Sequence, residues 1–275
     1  MKNYEKVHAN EKALEGTMKF DMHCHTKEGS MDARISIEEY ILRLKELGFK
    51  GMLVSDHNTY DGYREWKNNI KGKRHKDFIV LKGIEYDTID AGHILVIMPE
   101  GVKVRVLELR GLPVRILIDV VHRYGGILGP AHPCGEKYLS LVNTKRRKSK
   151  DSILKKFDFV ETFNACESEE SNAKATLLAE RYHKPGFGGS DAHRYDCVGT
   201  AYTELPKEIK RESDLIRYIQ RGGQVSCGGN LYNKTAKDKM GKLHRIVVES
   251  FWVYNKTSSL YRRNKRQKEL EKINQ

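Results

Sequence analysis

The stretch KFDMHCHTKEGSMDARISIEEYILRLKELGFKGMLVSDHN, residues 19–58, contains one complete strand–helix–strand unit. Its apolar and polar residues predict a strand over 19–23, a helix over 36–48 and a buried strand over 51–55. A strand that is followed by an amphipathic helix and a second strand is typical of a parallel sheet or barrel. This unit therefore indicates an α/β fold.

The helix of this unit has clear signals at both ends. Ser36 and Glu39 have the spacing of a capping box, and Gly48 provides a stop signal. Four apolar side chains recur at helical spacing and predict one buried face: Ile37, Ile41, Leu44 and Leu47.

The same alternation continues along the chain. Further strands are predicted over 78–81, 93–98, 126–129, 157–161, 186–189 and 224–227. Further helices are predicted over 113–124, 168–183 and 212–221. The 275 residues, of which 39% are hydrophobic, suffice for one large domain with an appendage, since α/β barrels comprise roughly 200–250 residues.

The charge and the cysteines limit the class of protein. The formal net charge is +13, which attracts anions such as phosphate-bearing molecules or reflects a generally basic surface. The five cysteines form no CxxC pair, which argues against a disulfide scaffold and a thiolate zinc site. The first residues lack the apolar core of a signal peptide, and no stretch is apolar enough to span a membrane. We expect a cytoplasmic protein, and the oligomeric state stays open.

Histidines and carboxylates follow most of the predicted strands. In chain order they are His23, His25, Asp56, His57, Glu85, His93, His132, Glu161, Asp191 and His193. The carboxyl ends of barrel strands converge on one face, where active sites are built. The sequence therefore predicts that these side chains meet in a metal centre.

The spacing and the donor types specify this centre further. His23 and His25 are two residues apart, so both rings point to the same side of an extended strand. Nitrogen and oxygen donors suit Zn²⁺, Mn²⁺ or Fe²⁺, and several carboxylates favour more than one ion. Cys24 should face away from the site and pack in the core. Cys134 and Cys166 are interpreted as bystanders near the site.

Together these motifs resemble the PHP (polymerase and histidinol phosphatase) superfamily. The matching motifs, in family order, are Asp21-Met22-His23-Cys24-His25-Thr26, Ser55-Asp56-His57-Asn58, Gly83-Ile84-Glu85, Gly92-His93, Ala131-His132-Pro133 and Gly189-Ser190-Asp191-Ala192-His193. The resemblance covers about residues 18–230. It implies an α/β fold, a distorted (β/α)7 barrel of the PHP type with a three-metal site.

The resemblance also implies a ligand set. The first ion would be held by His23, His25, Glu85 and Asp191. The second would share Glu85 and add His93 and His132. The third would be held by His57 and His193 with an aspartate from the loop after the first motif, for which Asp32 is the better candidate and Glu28 the substitute.

The expected chemistry is direct hydrolysis by a metal-activated water, with two or three divalent ions (Mn, Zn or Fe) as cofactors. We expect catalysis to depend on Glu85, Asp191, His193 and Arg194. Arg194 could bind a phosphoryl oxygen or be a surface residue. Asp56 is interpreted as orienting a histidine through its free ring nitrogen. Glu161 could do the same or cap a helix.

The chain is expected to comprise an N-terminal arm (1–17), the PHP phosphoesterase domain (18–230) and a basic C-terminal extension (231–275). The extension holds 12 Lys and Arg against 4 Asp and Glu, with aromatic residues just before the run Arg262-Arg263-Asn264-Lys265-Arg266. This pattern predicts nucleic-acid binding or a solvated helix that packs its aromatic residues on the barrel. A second basic run, Lys145-Arg146-Arg147-Lys148, follows His132.

Three functions fit these observations. The first is a metal-dependent phosphoesterase that acts on nucleic acid or nucleotides, and the second is a small-molecule phosphatase of the histidinol-phosphate type. The third is a non-catalytic PHP module that binds nucleic acid or a partner. The near-complete ligand set favours an enzyme. A metal-dependent amidohydrolase is less consistent with the resemblance.

Overall fold

The computed structural model describes residues 16–135, 140–142, 150–232 and residue 250. Most of the expected N-terminal arm, the basic run Lys145-Arg146-Arg147-Lys148 and nearly all of the basic C-terminal extension lie outside the described residues. The predictions made for those segments, nucleic-acid binding among them, therefore stay predictions from the sequence.

The described residues form two β-sheets. The strands are β1 (Thr17–Cys24), β2 (Gly51–Val54), β3 (Ile79–Asp87), β4 (His93–Ile97), β5 (Ile127–Pro130), β6 (Val160–Asn164), β7 (Gly186–Gly189), β8 (Ala201–Pro206) and β9 (Ser226–Gly229). Seven strands lie in the order β5-β4-β3-β2-β1-β8-β9, and β6 pairs with β7 in a second sheet. The predicted α/β fold is confirmed.

The large sheet curls, so that the β6–β7 pair lies between β5 and β1. The amide of Asp158 donates to the carbonyl of Leu128 at 2.9 Å on one side, and the amide of Asp191 donates to the carbonyl of His23 at 2.8 Å on the other. A Cβ at Gly189 would lie 2.5 Å from the backbone nitrogen of His23. Only glycine therefore allows β7 to approach the strand that bears the first motif so closely.

The strand arrangement departs from a regular parallel barrel. β1, β2 and β3 run parallel, but β4 is antiparallel to both β3 and β5, and β8 is antiparallel to β1 and β9. The link over 88–92 is too short for a crossover, which needs about a dozen residues, so β4 must return antiparallel. The sheet is therefore mixed, which corrects the expectation of a parallel sheet from the alternation of strands and helices. The short, alternating strand β8 was also not predicted.

Six α-helices occur among the described residues: α1 (Ile37–Glu46), α2 (Asp61–Glu65), α3 (Val114–Arg123), α4 (Lys150–Leu154), α5 (Glu169–Arg181) and α6 (Glu212–Gln220). The predicted helices correspond to α1, α3, α5 and α6. The capping box of Ser36 and Glu39 is present. Leu47 is 41% exposed, because α1 ends before it, so its predicted burial is wrong. No helix in the described ranges combines the length and apolar character that a membrane crossing requires.

The helices and the strands enclose separate core clusters. Strand residues such as Phe20, Leu53 and Phe187 form an inner cluster that α6 covers with Leu215 and Ile219. On the outer face, α1 packs against Cys24, Met52 and Val54, among others. This packing agrees with the expectation that Cys24 faces away from the motif histidines.

An irregularity in β1 determines which side chains face inward. Asp21 pairs with Met52 and Cys24 pairs with Val54, so three steps along β1 match two along β2. Such a bulge shifts the alternation of side chains and is common beside active sites. Both Asp21 and Cys24 consequently lie on the outer side, and His23 is free to face the interior with His25.

Candidate metal centre

The structure brings together the nine side chains that were expected as metal ligands. They are His23, His25, Asp32, His57, Glu85, His93, His132, Asp191 and His193, and each has a nitrogen or oxygen atom within 4 Å of another member. They lie at or after the carboxyl ends of β1, β2, β5 and β7, within β3 and at the first residue of β4. Residues separated by up to 170 positions thus meet at one end of the curled sheet.

Glu85 lies at the centre of this cluster. Its Oε1 atom is close to three ring nitrogens: Nε2 of His23 (3.5 Å), Nδ1 of His93 (2.9 Å) and Nε2 of His132 (3.2 Å). Its Oε2 atom is close to two more: Nε2 of His25 (3.3 Å) and Nδ1 of His57 (3.1 Å). One buried carboxylate therefore contacts five histidines and can bridge the groups that they form.

The innermost group consists of His23, His25 and Asp191. The Nε2 atoms of the two histidines are 3.1 Å apart, as expected for rings that point to the same side. Oδ1 of Asp191 lies 3.6 Å from Nε2 of His23 and 3.2 Å from Nε2 of His25. Both histidine side chains are completely buried. Three donor atoms thus face a common point away from solvent.

The outermost group consists of Asp32, His57 and His193. Oδ2 of Asp32 lies 3.4 Å from Nε2 of His193 and 3.9 Å from Nε2 of His57. The side chain of Asp32 is 36% exposed and that of His193 is 23% exposed, so the cluster opens to solvent on this side. Glu28 lies elsewhere, because its carboxylate accepts a hydrogen bond from the amide of Ile37. The geometry therefore favours Asp32 as the carboxylate of this group.

Glu161 contacts two of the histidines, His23 and His132, on the side away from the cluster. Its Oε1 atom lies 2.8 Å from Nδ1 of His23, and its Oε2 atom accepts from the backbone amide of His132 at 2.5 Å. The amide side chain of Asn164 also donates to Oε2. With Nδ1 of His23 engaged in this way, its Nε2 atom faces the cluster, which is the arrangement of a carboxylate that orients a metal-binding histidine.

Asp56 acts through an intermediate residue. Its carboxylate accepts from the amide and the hydroxyl of Thr26 and from the hydroxyl of Ser30. The Ser30 hydroxyl in turn lies 3.1 Å from Nδ1 of His25. Asp56 thus orients His25 through the hydroxyl of Ser30, whereas the sequence suggested a direct contact between Asp56 and a histidine.

Arg194 lies at the edge of the site, with a partner of its own. Its guanidinium donates from Nε to Oδ1 of Asp196 at 2.9 Å, and its side chain is 50% exposed. This pairing favours the interpretation of Arg194 as a surface residue. Cys166 is buried and Cys134 is partly buried.

Several supporting residues were not predicted. Asp21 accepts from the backbone amide and the hydroxyl of Ser190 and from the hydroxyl of Tyr40, and thereby ties β1 to the residue before Asp191. Asp87 lies beside the histidines at the far end of β3. Its separation of two residues from Glu85 could have suggested that both face the same side.

Three residues of the centre adopt left-handed backbone conformations that are uncommon for residues with side chains. Their φ angles are +51° for Asn58, +30° for His132 and +52° for Asp191. Such conformations cost on the order of 1–3 kcal/mol each and cluster at functional sites. Here they turn the chain sharply after β2, β5 and β7 and direct the motif residues inward.

The carboxylates and the imidazoles shift the pKa values of one another. Burial alone would lower the pKa of His57 and His193, but the carboxylates of Glu85 and Asp32, respectively, raise both to about 9. Burial alone would raise the pKa of Glu85, but the neighbouring histidines hold it well below its usual range. Asp191 is shifted downward in the same way by His23. The centre therefore retains protons that an incoming cation would displace.

The donor set fits divalent metal ions. Three sets of side chains bring donor atoms within 4.8 Å of one another: His23, His25 and Asp191; His25, His57 and His193; and His57, Glu85 and His93. Among the described residues, Nδ1 of His57 and Oε2 of Glu85 are buried without a hydrogen-bond partner although they face each other. Buried polar atoms are normally paired, and these atoms would be satisfied by a cation between them.

Comparison with known families identifies the motifs. A model of the PHP domain matches residues 21–184, which is more than half of the chain, and a model described as PHP-associated matches residues 169–223. A PolC-type DNA polymerase III from Lacticaseibacillus paracasei is 33% identical over 78 residues, which are 28% of this chain and 5% of the polymerase. The chain spans less than half the length of the curated relatives that it matches.

Solved structures share the fold at low sequence identity. PsfC from Pseudomonas syringae is 16% identical, with a TM-score of 0.59 over 86% of this chain and 99% of PsfC. The lesion-specific endonuclease PfuEndoQ from Pyrococcus furiosus is 17% identical, with a TM-score of 0.60 over 77% of this chain and 57% of the endonuclease. At this identity the similarity establishes the fold alone.

Proposed function

Because the chain belongs to the PHP domain family, we propose that it is a hydrolase that cleaves phosphate esters with two or three divalent metal ions. The observation that carries this proposal is the position of Glu85, whose two oxygens lie within 3.5 Å of five histidines. A buried carboxylate among ring nitrogens suits neighbouring cations, because it can bridge them and reduce their repulsion.

The geometry suggests which residues would hold each ion. The inner group of His23, His25 and Asp191 shares Glu85 with the group of His93 and His132. The outer group would be held by Asp32, His57 and His193. Ions held there would lower the pKa of a water molecule and neutralise the charge on a phosphoryl group and its leaving oxygen.

The chain itself contributes orientation and access. Glu161 engages Nδ1 of His23 and keeps its Nε2 atom directed at the cluster. The inner side chains are screened from solvent, whereas Asp32 and His193 are partly exposed. A phosphate ester would therefore approach from the side of Asp32 and His193, where the cluster is open. Catalysis would depend on Glu85, Asp191 and His193 as members of the cluster.

We propose phosphodiesters of nucleic acid or nucleotides as the substrate class. The net charge of +13 favours a polyanionic substrate. The structural similarity to a lesion-specific endonuclease and the local sequence similarity to a DNA polymerase support the same class. A small-molecule phosphatase would use the same centre, so the substrate class must be decided by experiment.

The test is hydrolysis of three substrates by the full chain with Mn²⁺. They are p-nitrophenyl phosphate, bis(p-nitrophenyl) phosphate and a short 5′-labelled oligonucleotide. Preferred cleavage of the oligonucleotide and the bis-ester supports a nucleic-acid phosphodiesterase. Preferred cleavage of the monoester, without oligonucleotide binding, supports the small-molecule phosphatase instead. A folded chain that binds metal but cleaves none of the three would support a non-catalytic binding module.

A further inference from the structure

Asp87 is a buried carboxylate that the family motifs do not include. It follows Glu85 by two residues on β3, so both side chains lie on the same face of the strand. In the antiparallel pairing of β3 with β4, Asp87 lies directly opposite His93. Its side chain is only 3% exposed. Asp87 therefore lies inside the centre, next to an expected metal ligand.

The two carboxylate oxygens of Asp87 have different surroundings. Oδ2 accepts from the side-chain amide of Asn58 at 2.9 Å and lies 2.8 Å from a guanidinium nitrogen of Arg110. Oδ1 lies 3.1 Å from Nε2 of His93 and 3.6 Å from Nδ1 of His57, yet it makes no hydrogen bond to any residue that the structure describes. Oδ2 is thus fixed by two donors, and Oδ1 is directed at two imidazoles.

Two atoms around Oδ1 are likewise buried without a hydrogen-bond partner among the described residues. Within the described ranges, Nδ1 of His57 and Oε2 of Glu85 are also buried and make no hydrogen bond, and they are 3.1 Å apart. Three donor atoms from Asp87, His57 and Glu85 therefore converge without satisfying one another. Both carboxylates face the same Nδ1 atom of His57, which can donate to only one of them, whereas a divalent cation could bind both.

We propose that Asp87 is a further carboxylate ligand of the metal ion that Glu85 and His93 would hold, on the side of that ion next to His57. This inference rests on the proposed function, since it assumes that the centre binds metal. Asn58 and Arg110 hold Oδ2, so that Oδ1 is presented to the ion in a fixed orientation. The additional carboxylate gives this position a second oxygen donor beside that of Glu85, and carboxylate oxygens suit Mn²⁺.

The test compares Mn²⁺ binding by the full chain and two variants, measured by equilibrium dialysis and elemental analysis. Asp87→Asn keeps the shape of the side chain but replaces one oxygen by an amide nitrogen, which cannot bind a cation. Glu212→Gln is the matched control, because Glu212 is also buried but accepts from the amide of Lys82, outside the centre. We expect Asp87→Asn to lose at least one Mn²⁺ per chain at a free Mn²⁺ concentration that just saturates the wild type, and Glu212→Gln to retain all of them.

Equal Mn²⁺ binding by Asp87→Asn and the wild type would overturn the role of Asp87 while leaving the proposed function intact. Absence of Mn²⁺ from the folded wild type would overturn the proposed function itself. If Asp87→Asn does not fold, Asp87→Glu replaces it, since it keeps the charge but moves the oxygen by one methylene. The absorption spectrum of bound Co²⁺ should then differ from that of the wild type, and an unchanged spectrum would contradict ligation by Asp87.

Discussion

The carboxylate of Glu161 lies 2.8 Å from Nδ1 of His23, at the closed side of the centre. The two residues are 138 positions apart in the sequence and meet because β6–β7 packs beside β1. With its Nδ1 atom bound, His23 can offer only Nε2 to the cluster. The orientation of this ligand is therefore determined by a residue that need not contact an ion.

We predict that Glu161→Gln weakens metal binding roughly 10–100-fold, as loss of a partner behind a metal-binding histidine usually does. The glutamine can no longer stabilise the Nδ1 proton of His23 with a negative charge. The matched control is Asp158→Asn, which alters a carboxylate that contacts His122 on the outside of the fold. Competition with a chromogenic chelator measures the affinity of each variant. Equal weakening in both variants would show that the effect is not specific to His23.

The second prediction concerns the stability of chelator-treated protein. The pKa values of His57 and His193 are raised to about 9 in the folded chain, from an ordinary value of 6.5. Their protonated forms stabilise the fold below pH 6.5, and this contribution is lost as the pH rises through about 9. The free energy of unfolding should therefore fall on the order of 3 kcal/mol for each of the two groups over this range.

Thermal unfolding between pH 6 and pH 9.5, with excess chelator, checks this prediction. The double variant His57→Gln, His193→Gln should show a weaker pH dependence, because the two groups that lose protons in this range have been removed. A melting temperature of the wild type that stays constant or rises with pH would contradict the assigned shifts.

Much of the fold could be predicted from local sequence patterns. The capping box at Ser36 and the apolar spacing after it specify α1 without any tertiary information. The reversal of β4 was not predicted, because the strand pattern does not carry direction and only the length of the link over 88–92 does. The alternating strand β8 was missed because a six-residue stretch with Thr and Glu in it is a weak signal.

In the candidate site, too, some features could be predicted from the sequence and others depend on the tertiary structure. Its expected ligands could be proposed because most lie at or after the end of a predicted strand and because the motifs occur in family order. The contacts of Asp87 with His93, and of Asp56 with Ser30, could not be identified, since they depend on strand register and on loop conformation. The role of Asp21 could not be predicted either, because its bonds to Ser190 require the approach of β7 to β1.

The third prediction tests the inner group. His23→Ala and Asp191→Ala should each lower kcat/KM for the preferred phosphate ester by roughly a thousandfold or more, because lost metal chemistry corresponds to several kcal/mol of barrier. His122→Ala is the control, since His122 lies on the surface with Asp158 as its partner. Circular dichroism verifies that each variant is folded. Activity within tenfold of the wild type in both ligand variants would exclude the assigned site.

The fourth prediction concerns the basic C-terminal extension and rests on the sequence alone. Replacing Arg262, Arg263, Lys265 and Arg266 by Ala should weaken oligonucleotide binding and reduce the slope of log affinity against log salt by up to about three. Hydrolysis of bis(p-nitrophenyl) phosphate should not change. The matched control replaces four exposed cations elsewhere: Lys71, Lys73, Arg74 and Lys76. The same loss of affinity in the control would indicate a general charge effect.

The most direct test of the central claim is the metal content of the purified full chain, compared with that of Glu85→Gln. Glu85 contacts five histidines, so its carboxylate should be required for more than one ion. After dialysis against Mn²⁺, elemental analysis should find at least two ions per wild-type chain and fewer in the folded variant. A folded wild type without metal, or a variant with an undiminished metal content, would contradict a metal centre built around Glu85.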